Sequence, residues 1–278
     1  MIDEKNLPSV NEIGINNIDK LSNHDYKGYF IAYFDILGYE SIITKGETEE
    51  KEKLLETIED TIKLSKEIFS LAKKPPSNCE IKMKVFSDNF LLCTEKDYFY
   101  LITLIGSLQC ALAAKNYFVR GSISYGNIIF NDDYIYGKGL IDAYKLELNN
   151  AIFPRIIIDD SSFVGATIVE SKKYSTQVTT KDIEKELNAF YCIDSDRFKY
   201  LNYLEAMKDY KEKGEKDVSK FKDLLEKHAQ YIALNLKIED RSIKQKYQWC
   251  MNYHNKFCKK NGYLEYLIKE NYDGICYL

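Results

Sequence analysis

The sequence has little of what membrane proteins, nucleic-acid-binding proteins and zinc-stabilised domains need. No apolar run reaches the roughly 18 residues that a membrane-spanning helix requires, and residues 1–23 lack the apolar core of a signal peptide. The net charge is −4, so no global positive field attracts nucleic acid or an anionic membrane. The seven cysteines form no CxxC pair, and the three histidines show no zinc-ligand spacing. We expect a cytoplasmic protein that binds neither nucleic acid nor membrane.

The composition that remains is that of a globular protein, with 45% hydrophobic and 29% charged residues among 278. That length suits one large domain, or one domain with an appendage. Changes in composition and in the spacing of apolar residues divide the sequence into three parts. These are a polar lead-in (1–27), a main domain (28–180) and a highly charged helical part (181–278). We expect the helical part to pack on the main domain and not to form a second, independent one.

The main domain alternates strand and helix patterns in a recognisable order. Apolar periodicity and turn residues predict strands at 28–37, 80–86, 90–95, 117–130 and 134–137, and helices at 49–74, 98–115 and 140–150. Strand, helix, strand, strand, helix, strand is the βαββαβ order of the ferredoxin-like fold, an α+β architecture built on an antiparallel sheet. Its two central strands are the first and the third.

Beyond residue 180 the pattern predicts a short strand at 189–193 and helices at 196–213, 217–236 and 241–260. The last of these has six basic and no acidic residues, interleaved with aromatic rings. A nucleic-acid surface is one interpretation. An amphipathic helix with a solvated basic face is favoured, because apolar residues recur at helical spacing.

Two aspartates within apolar runs are the residues that most strongly indicate a functional site. Asp35 lies near the end of the first predicted strand, and Asp88 lies in the turn between the second and third. A carboxylate in such a run is costly to bury without a partner. Two neighbouring carboxylates repel each other unless a cation lies between them, and a divalent metal is the usual solution.

The order of four motifs resembles that of the class III nucleotidyl cyclases, and within them the bacterial pyrimidine cyclases of the Pycsar anti-phage systems. The motifs are Asp-Ile-Leu-Gly-Tyr at 35–39, Phe-Ser-Asp at 86–88, Arg-Gly-Ser-Ile-Ser-Tyr-Gly at 120–126 and Tyr-Gly-Lys-Gly-Leu-Ile-Asp-Ala-Tyr-Lys-Leu-Glu at 136–147, followed by Pro-Arg-Ile at 154–156. The resemblance covers about residues 28–160 and implies a palm-type catalytic domain with the helical appendage outside it.

The resemblance implies a site for two Mg²⁺ or Mn²⁺ ions, held by Asp35, Asp88 and the carbonyl of Ile36. Such ions would activate the ribose 3′-hydroxyl of a nucleoside triphosphate and clamp its phosphates. It also implies a homodimer with two shared active sites, in which one chain gives the metal carboxylates and the other gives the base-binding and transition-state groups.

The base-selecting positions of the family correspond to Lys84 and Tyr134. A lysine that donates and a tyrosine that donates or accepts suit uracil and also tolerate adenine N1. Each residue has a plainer alternative, since Lys84 could be a solvated strand residue and Tyr134 a turn residue.

The purine cyclases resemble one another in an Asn and an Arg at the positions that are Ile141 and Lys145 here. Ile141 cannot hydrogen-bond through its side chain. Lys145 keeps the positive charge of the arginine but cannot donate the two parallel hydrogen bonds of a guanidinium. Arg120 and Tyr39 are candidates to compensate, although an ion pair and core packing would explain them equally well. Lys138, in Gly-Lys-Gly before a helix, could bind phosphate or simply belong to a turn.

The sequence therefore predicts a cyclase that makes a cyclic pyrimidine nucleotide, cyclic UMP or cyclic CMP, as a second messenger for a separate effector protein in anti-phage defence. Two alternatives stay open. The first is a purine cyclase or nucleotide-linking enzyme on the same palm fold. The second is a degenerate cyclase domain that only binds nucleotide as a sensor.

Overall fold

The computed structural model describes residues 26–72, 79–173, 178–213, 218–271 and 274–276. The elements of the first half are β1 (Lys27–Ile36), α1 (Tyr39–Lys45), α2 (Thr48–Ala72), β2 (Lys82–Phe86), β3 (Asn89–Thr94), α3 (Tyr98–Ala113), β4 (Val119–Phe130), β5 (Ile135–Tyr136) and α4 (Lys138–Asn150). The remaining elements are β6 (Ile156–Ile158), α5 (Asp160–Ser171), α6 (Thr180–Ala189), β7 (Tyr191–Ile193), β8 (Lys199–Leu201), α7 (Tyr203–Lys213), α8 (Val218–Asn235), α9 (Arg241–Asn261), β9 (Lys269–Asn271) and β10 (Gly274–Cys276).

The predicted ferredoxin-like sheet is confirmed. Strands β2, β3, β1 and β4 are neighbours in that order, and each neighbouring pair is antiparallel. Strand β6 continues the sheet in parallel with β4, and β8 and β7 complete it. The two-residue β5 pairs with the far end of β4. The lead-in before residue 26 lies outside the described residues.

The two faces of the sheet are covered by different helices. Because side chains alternate along a strand, Phe30, Ala32 and Phe34 of β1 enter the main core with α3. Tyr29, Ile31 and Tyr33 point to the opposite face, where Ala143 of α4 packs against them. Asp35 continues this second series and therefore lies on the α4 face of the sheet.

Helix α4 lies unusually close to the sheet because two glycines allow it. A Cβ atom on Gly126 of β4 would be 2.6 Å from the Cα atom of Gly139. The hydroxyl groups of Ser122 and Ser124 donate to the carbonyl oxygens of Ala143 and Gly139, at 2.7 and 3.3 Å. These contacts fix α4 across β4.

The C-terminal part packs on the sheet and also extends it. Strands β7 and β8 lie beyond the predicted boundary at residue 180, yet they belong to the same sheet. Helix α7 packs on α3 so closely that a Cβ atom on Gly106 would be 3.0 Å from the Cβ of Ala206. Helix α9 is amphipathic, as favoured from the sequence, with Tyr253, Phe257 and their neighbours buried and Lys256, Lys259 and Lys260 exposed.

One sequence prediction is wrong, and three helices, α1, α5 and α6, were missed. Residues 199–201, predicted as helix, form β8, because Tyr200 and Leu201 are buried in a strand that pairs with β6 and β7. Helix α5 was not predicted, although Asp159 caps it by accepting from the backbone N–H of Ser162. Helix α6 begins with a capping box between Thr179 and Asp182.

A buried arginine joins the sheet to the C-terminal part. The Arg155 side chain is fully buried, and its guanidinium donates to Asp194 and Asp196 of the β7–β8 turn. The indole N–H of Trp249, on α9, donates to the same carboxylate of Asp194 at 2.6 Å. Tyr200 and Trp249 also place their rings 5.7 and 5.9 Å from the guanidinium carbon.

No helix in the described ranges combines the length and the apolarity needed to cross a membrane.

Candidate active site

Asp35 and Asp88 lie at the same end of the palm sheet. Asp35 is the penultimate residue of β1, and 19% of its side chain is exposed. Asp88 lies in the tight turn between β2 and the neighbouring strand β3, where Ser87 adopts a left-handed conformation with φ of 57°. Burial, and next the nearby charge of Asp35, raise the pKa of Asp88 against the pull of its hydrogen bonds. The structure thus brings the two carboxylates to one end of the sheet, close enough for their charges to interact.

Arg120 is the counter-ion of Asp35. The two residues are direct partners in the β1–β4 register. The Nε atom of Arg120 is 3.2 Å from Oδ1 of Asp35, and its Nη2 atom is 3.2 Å from Oδ2. Burial opposes the charged guanidinium, but the hydrogen bonds to Asp35 and the surrounding carboxylates raise the pKa of Arg120 overall. The ion pair considered as the plain explanation of Arg120 is thus present, and it lies inside the candidate site.

Glu147 is a third acidic residue of the site, and the sequence analysis did not assign it. Its side chain is only 3% exposed, and its Oε1 atom is 3.0 Å from Nε of Arg120. Burial raises the pKa of Glu147, Arg120 opposes this, and Asp35 and Asp88 add to it. The sequence signal was available: Gly139, Ala143 and Glu147 recur every four residues and form the buried stripe of α4.

A short hydrogen-bond chain orients Asp88. The hydroxyl of Tyr33 donates to Oδ1 of Asn89, and Nδ2 of Asn89 donates to Oδ1 of Asp88 at 3.0 Å. Burial, and next the carboxylates around it, raise the pKa of Tyr33 to about 12. The phenol therefore stays protonated at neutral pH and remains a donor.

The two predicted base-selecting residues lie beside the same hairpin. The ammonium of Lys84, on β2, donates to the carbonyl oxygen of Asp132 at 2.7 Å. Tyr134 lies two residues further along that β4–β5 loop, its backbone N–H bonded to Asn131 and its side chain 45% exposed. The structure thus brings Lys84 to the loop that carries Tyr134.

Of the other predicted residues, Ile36 adjoins Asp35, and the rest show no described contact with the two carboxylates within one chain. Lys145 is on the exposed side of α4, away from the buried Glu147. Lys138 is paired with Asp142 one turn along the same helix. Tyr39, the first residue of α1, is half-buried and packs against the main core. Ile36 ends β1 beside Asp35 with its side chain buried.

The donor atoms of the site fit a divalent cation in kind, since carboxylate oxygens are what Mg²⁺ and Mn²⁺ prefer. Within the described ranges no group of three or more His, Cys, Asp and Glu side chains is arranged to hold a metal. Both oxygens of Asp35 are engaged by Arg120. A cation at Asp35 would therefore compete with Arg120 for these oxygens.

Comparison with known proteins identifies no family for this chain. No protein-family model matches the chain, and no curated protein matches it in sequence. A similar solved structure is that of a class III adenylyl cyclase-like ATP-binding protein from Pseudomonas aeruginosa, with 15% sequence identity and a TM-score of 0.39. The alignment covers 70% of this chain and 43% of that one, so the chain spans less than half of that protein.

Proposed function

We propose that the protein is a nucleotidyl cyclase that converts a pyrimidine nucleoside triphosphate, UTP foremost, to its 3′,5′-cyclic monophosphate and pyrophosphate. The observation that supports this most is the meeting of Asp35, Asp88 and Arg120 at one end of a ferredoxin-like sheet. Two half-buried carboxylates next to an arginine fork suit the binding of a metal-bound triphosphate.

Each residue of the site has a part in this proposal. Mg²⁺ or Mn²⁺ at Asp35 and Asp88 would supply activation of the ribose 3′-hydroxyl and charge neutralisation at the leaving pyrophosphate. The Ile36 carbonyl would add an oxygen ligand, and Asn89 holds Asp88 in place through its 3.0 Å hydrogen bond. Arg120 presents a bidentate fork to phosphate oxygens.

The base is read at the β4–β5 loop. Lys84 can only donate, which suits the O4 oxygen of uracil, while the hydroxyl of Tyr134 accepts from its N3–H. The cyclic product would act as a messenger on a separate effector protein.

The site is completed by a second copy of the chain. Lys145 points away from its own Glu147, and the same exposed side of α4 carries Ile141, Tyr144 and Leu148, each about half exposed. An apolar stripe at this spacing is typical of a helix that packs on another surface. A two-fold dimer through this stripe would bring Lys145 of each chain toward the carboxylates of the other.

The deciding experiment is a product assay. The protein is incubated with each of the four nucleoside triphosphates and Mn²⁺, and the products are resolved by mass spectrometry. We expect cyclic UMP and pyrophosphate from the wild type and from Asp60→Asn, a matched change at an exposed ion pair. Asp35→Asn should give no product. A purine-only product would refute the pyrimidine assignment and favour the purine or nucleotide-linking enzyme.

A nucleotide sensor is the second candidate, and two observations favour it. Arg120 already neutralises Asp35, and Ile141 replaces a hydrogen-bonding residue with an apolar side chain. Binding of a nucleotide with no pyrophosphate release from any of the four would select this alternative.

A further inference from the structure

Arg120 is shared between two carboxylates that come from different elements. Its Nε atom is 3.2 Å from Oδ1 of Asp35 on β1 and 3.0 Å from Oε1 of Glu147 on α4. Its Nη2 atom bonds only to Asp35 among the contacts described. The contact with Glu147 satisfies the distance of an ion pair, but Oε1 of Glu147 has no well-aligned hydrogen bond. Glu147 therefore lies at ion-pair distance from Arg120 and still has an unused hydrogen-bond acceptor.

The charges of the site make this arrangement sensitive to a cation. Three carboxylates, Asp35, Asp88 and Glu147, face the single positive charge of Arg120. A divalent ion at Asp35 would repel the Arg120 guanidinium, since like charges held by the same carboxylate repel each other at short range. Glu147 is 3% exposed, so leaving its charge without a partner is costly. The displaced guanidinium has a buried acceptor already in contact.

Glu147 is held firmly enough to serve as that acceptor. The serine hydroxyls of β4 tie the carbonyl oxygens of Gly139 and Ala143 to the sheet. Glu147 follows Ala143 by one helical turn on the same buried stripe. Its carboxylate therefore keeps its position above β4 when Arg120 changes partner.

We propose that Glu147 is a positioning residue, which takes over Arg120 from Asp35 when a divalent cation binds and so keeps the guanidinium beside the substrate phosphates. This inference rests on the proposed function of the site. It assigns Glu147 no contact with the metal or the substrate, because it acts through Arg120.

The test is a double-mutant cycle on the Mn²⁺ affinity, measured by calorimetry without nucleotide. The four proteins are the wild type, Glu147→Gln, Arg120→Met and the double variant. We expect Glu147→Gln to weaken Mn²⁺ binding about tenfold, because Arg120 then stays on Asp35 and competes. Arg120→Met should strengthen Mn²⁺ binding relative to the wild type. In the Arg120→Met background, Glu147→Gln should change the affinity by less than about twofold.

Two further variants control the cycle. Asp142→Asn removes an exposed carboxylate from the same helix and should leave Mn²⁺ affinity unchanged. Glu147→Asp keeps the charge but withdraws it from Arg120, and should weaken binding by a smaller factor. It also replaces Glu147→Gln if that variant does not fold.

The outcomes separate this inference from the proposed function. An equal loss of affinity in both backgrounds, or no loss in either, overturns the role of Glu147 alone. A wild-type protein that binds no Mn²⁺ overturns both. Arg120-dependent loss of Mn²⁺ affinity together with no cyclic product from any nucleotide supports the role of Glu147 and overturns the cyclase.

Discussion

Gly126 and Gly139 touch backbone to backbone where α4 crosses β4. A Cβ atom on Gly126 would be 2.6 Å from the Cα of Gly139, and one on Gly139 would be 2.7 Å from the carbonyl carbon of Gly126. Neither neighbour is a flexible side chain that could yield. This contact sets the height of α4 above the sheet, and with it the position of Glu147 beside Arg120.

We expect Gly126→Ala to lower the free energy of unfolding by about 2 kcal/mol, because the methyl group overpacks a backbone contact. The added atom should also lift α4 and weaken Mn²⁺ binding. Urea denaturation and calorimetry measure the two effects. Gly262→Ala is the control, since that glycine caps α9 with φ of 78° and open space around it. It should cost about 1 kcal/mol and leave Mn²⁺ affinity intact. Equal Mn²⁺ affinity in Gly126→Ala and the wild type would contradict the prediction.

His228 and His254 form a buried chain with one consistent set of protons. Nε2 of His254 donates to the carbonyl oxygen of Tyr266 at 2.8 Å, with the thiol of Cys258 3.4 Å away. Because a carbonyl only accepts, the proton of His254 must be on Nε2. Its Nδ1 then accepts from Nδ1 of His228, 2.9 Å away, and Nε2 of His228 accepts from the hydroxyl of Tyr203 at 2.7 Å. A further proton on either ring breaks this order.

Acid should therefore destabilise the fold through these rings. Burial lowers the pKa of His254 to about 4, and burial together with His254 lowers the pKa of His228. Below the usual pKa of about 6.5 the unfolded chain binds more protons than the folded one. The free energy of unfolding should fall as the pH drops from about 6.5 towards about 4, by about 1.4 kcal/mol per pH unit and histidine.

Denaturant unfolding at pH 7, 6 and 5 tests this dependence. The slope of the unfolding free energy against pH measures how many more protons the unfolded chain binds than the folded one. His254→Gln should reduce that number by about one. Tyr203→Phe removes a hydrogen bond to His228 and should lower stability with little change in slope. An unchanged slope in His254→Gln would show that other groups cause the acid sensitivity.

Leu148→Glu should separate the proposed dimer. A charge in an apolar contact is costly, whereas in the single chain Leu148 is 54% exposed and its replacement should change stability by less than about 0.5 kcal/mol. Sedimentation should then show monomers, and the cyclase activity should be lost. Leu55→Glu, at a residue of α2 that is 57% exposed, is the matched control and should remain a dimer. Activity in a monomeric Leu148→Glu protein would contradict the shared site.

Mixing inactive subunits tests the same model from another side. Asp35→Asn and Lys145→Ala disable different halves of each proposed site. Random pairing makes half of the dimers mixed, with one intact site in each, so about a quarter of the wild-type activity should return. Asp35→Asn mixed with Asp88→Asn should recover nothing, because both changes fall on the same half. Absence of recovery in the first mixture would rule out the shared site.

The strands of the palm and the placement of its two aspartates could be predicted because they depend on local patterns. Apolar runs of strand length, two-residue turns and the βαββαβ order need only neighbouring residues. Asp35 and Asp88 follow from that order, since their strands flank each other in the fold.

The remainder depended on contacts between distant segments. Glu147 continues the four-residue spacing of Gly139 and Ala143, but only the packing of α4 on β4 buries its carboxylate beside Arg120. Residues 199–201 lie among charged residues, and their local pattern predicts a helix. They form a strand because they pair with β6 and β7. The partnership of Arg120 with both Asp35 and Glu147 likewise arises from three separate elements.

The position of Arg155 has a consequence for how the protein can be dissected. Its backbone carbonyl accepts from the N–H of Gly121 at 3.0 Å, directly after Arg120, while its guanidinium is neutralised by Asp194 and Asp196. A fragment cut at residue 180 would lose both of these acids and also the rings of Tyr200 and Trp249 that cover the guanidinium. We therefore expect the excised core to be less stable than the full chain, beginning at the strand that presents Arg120.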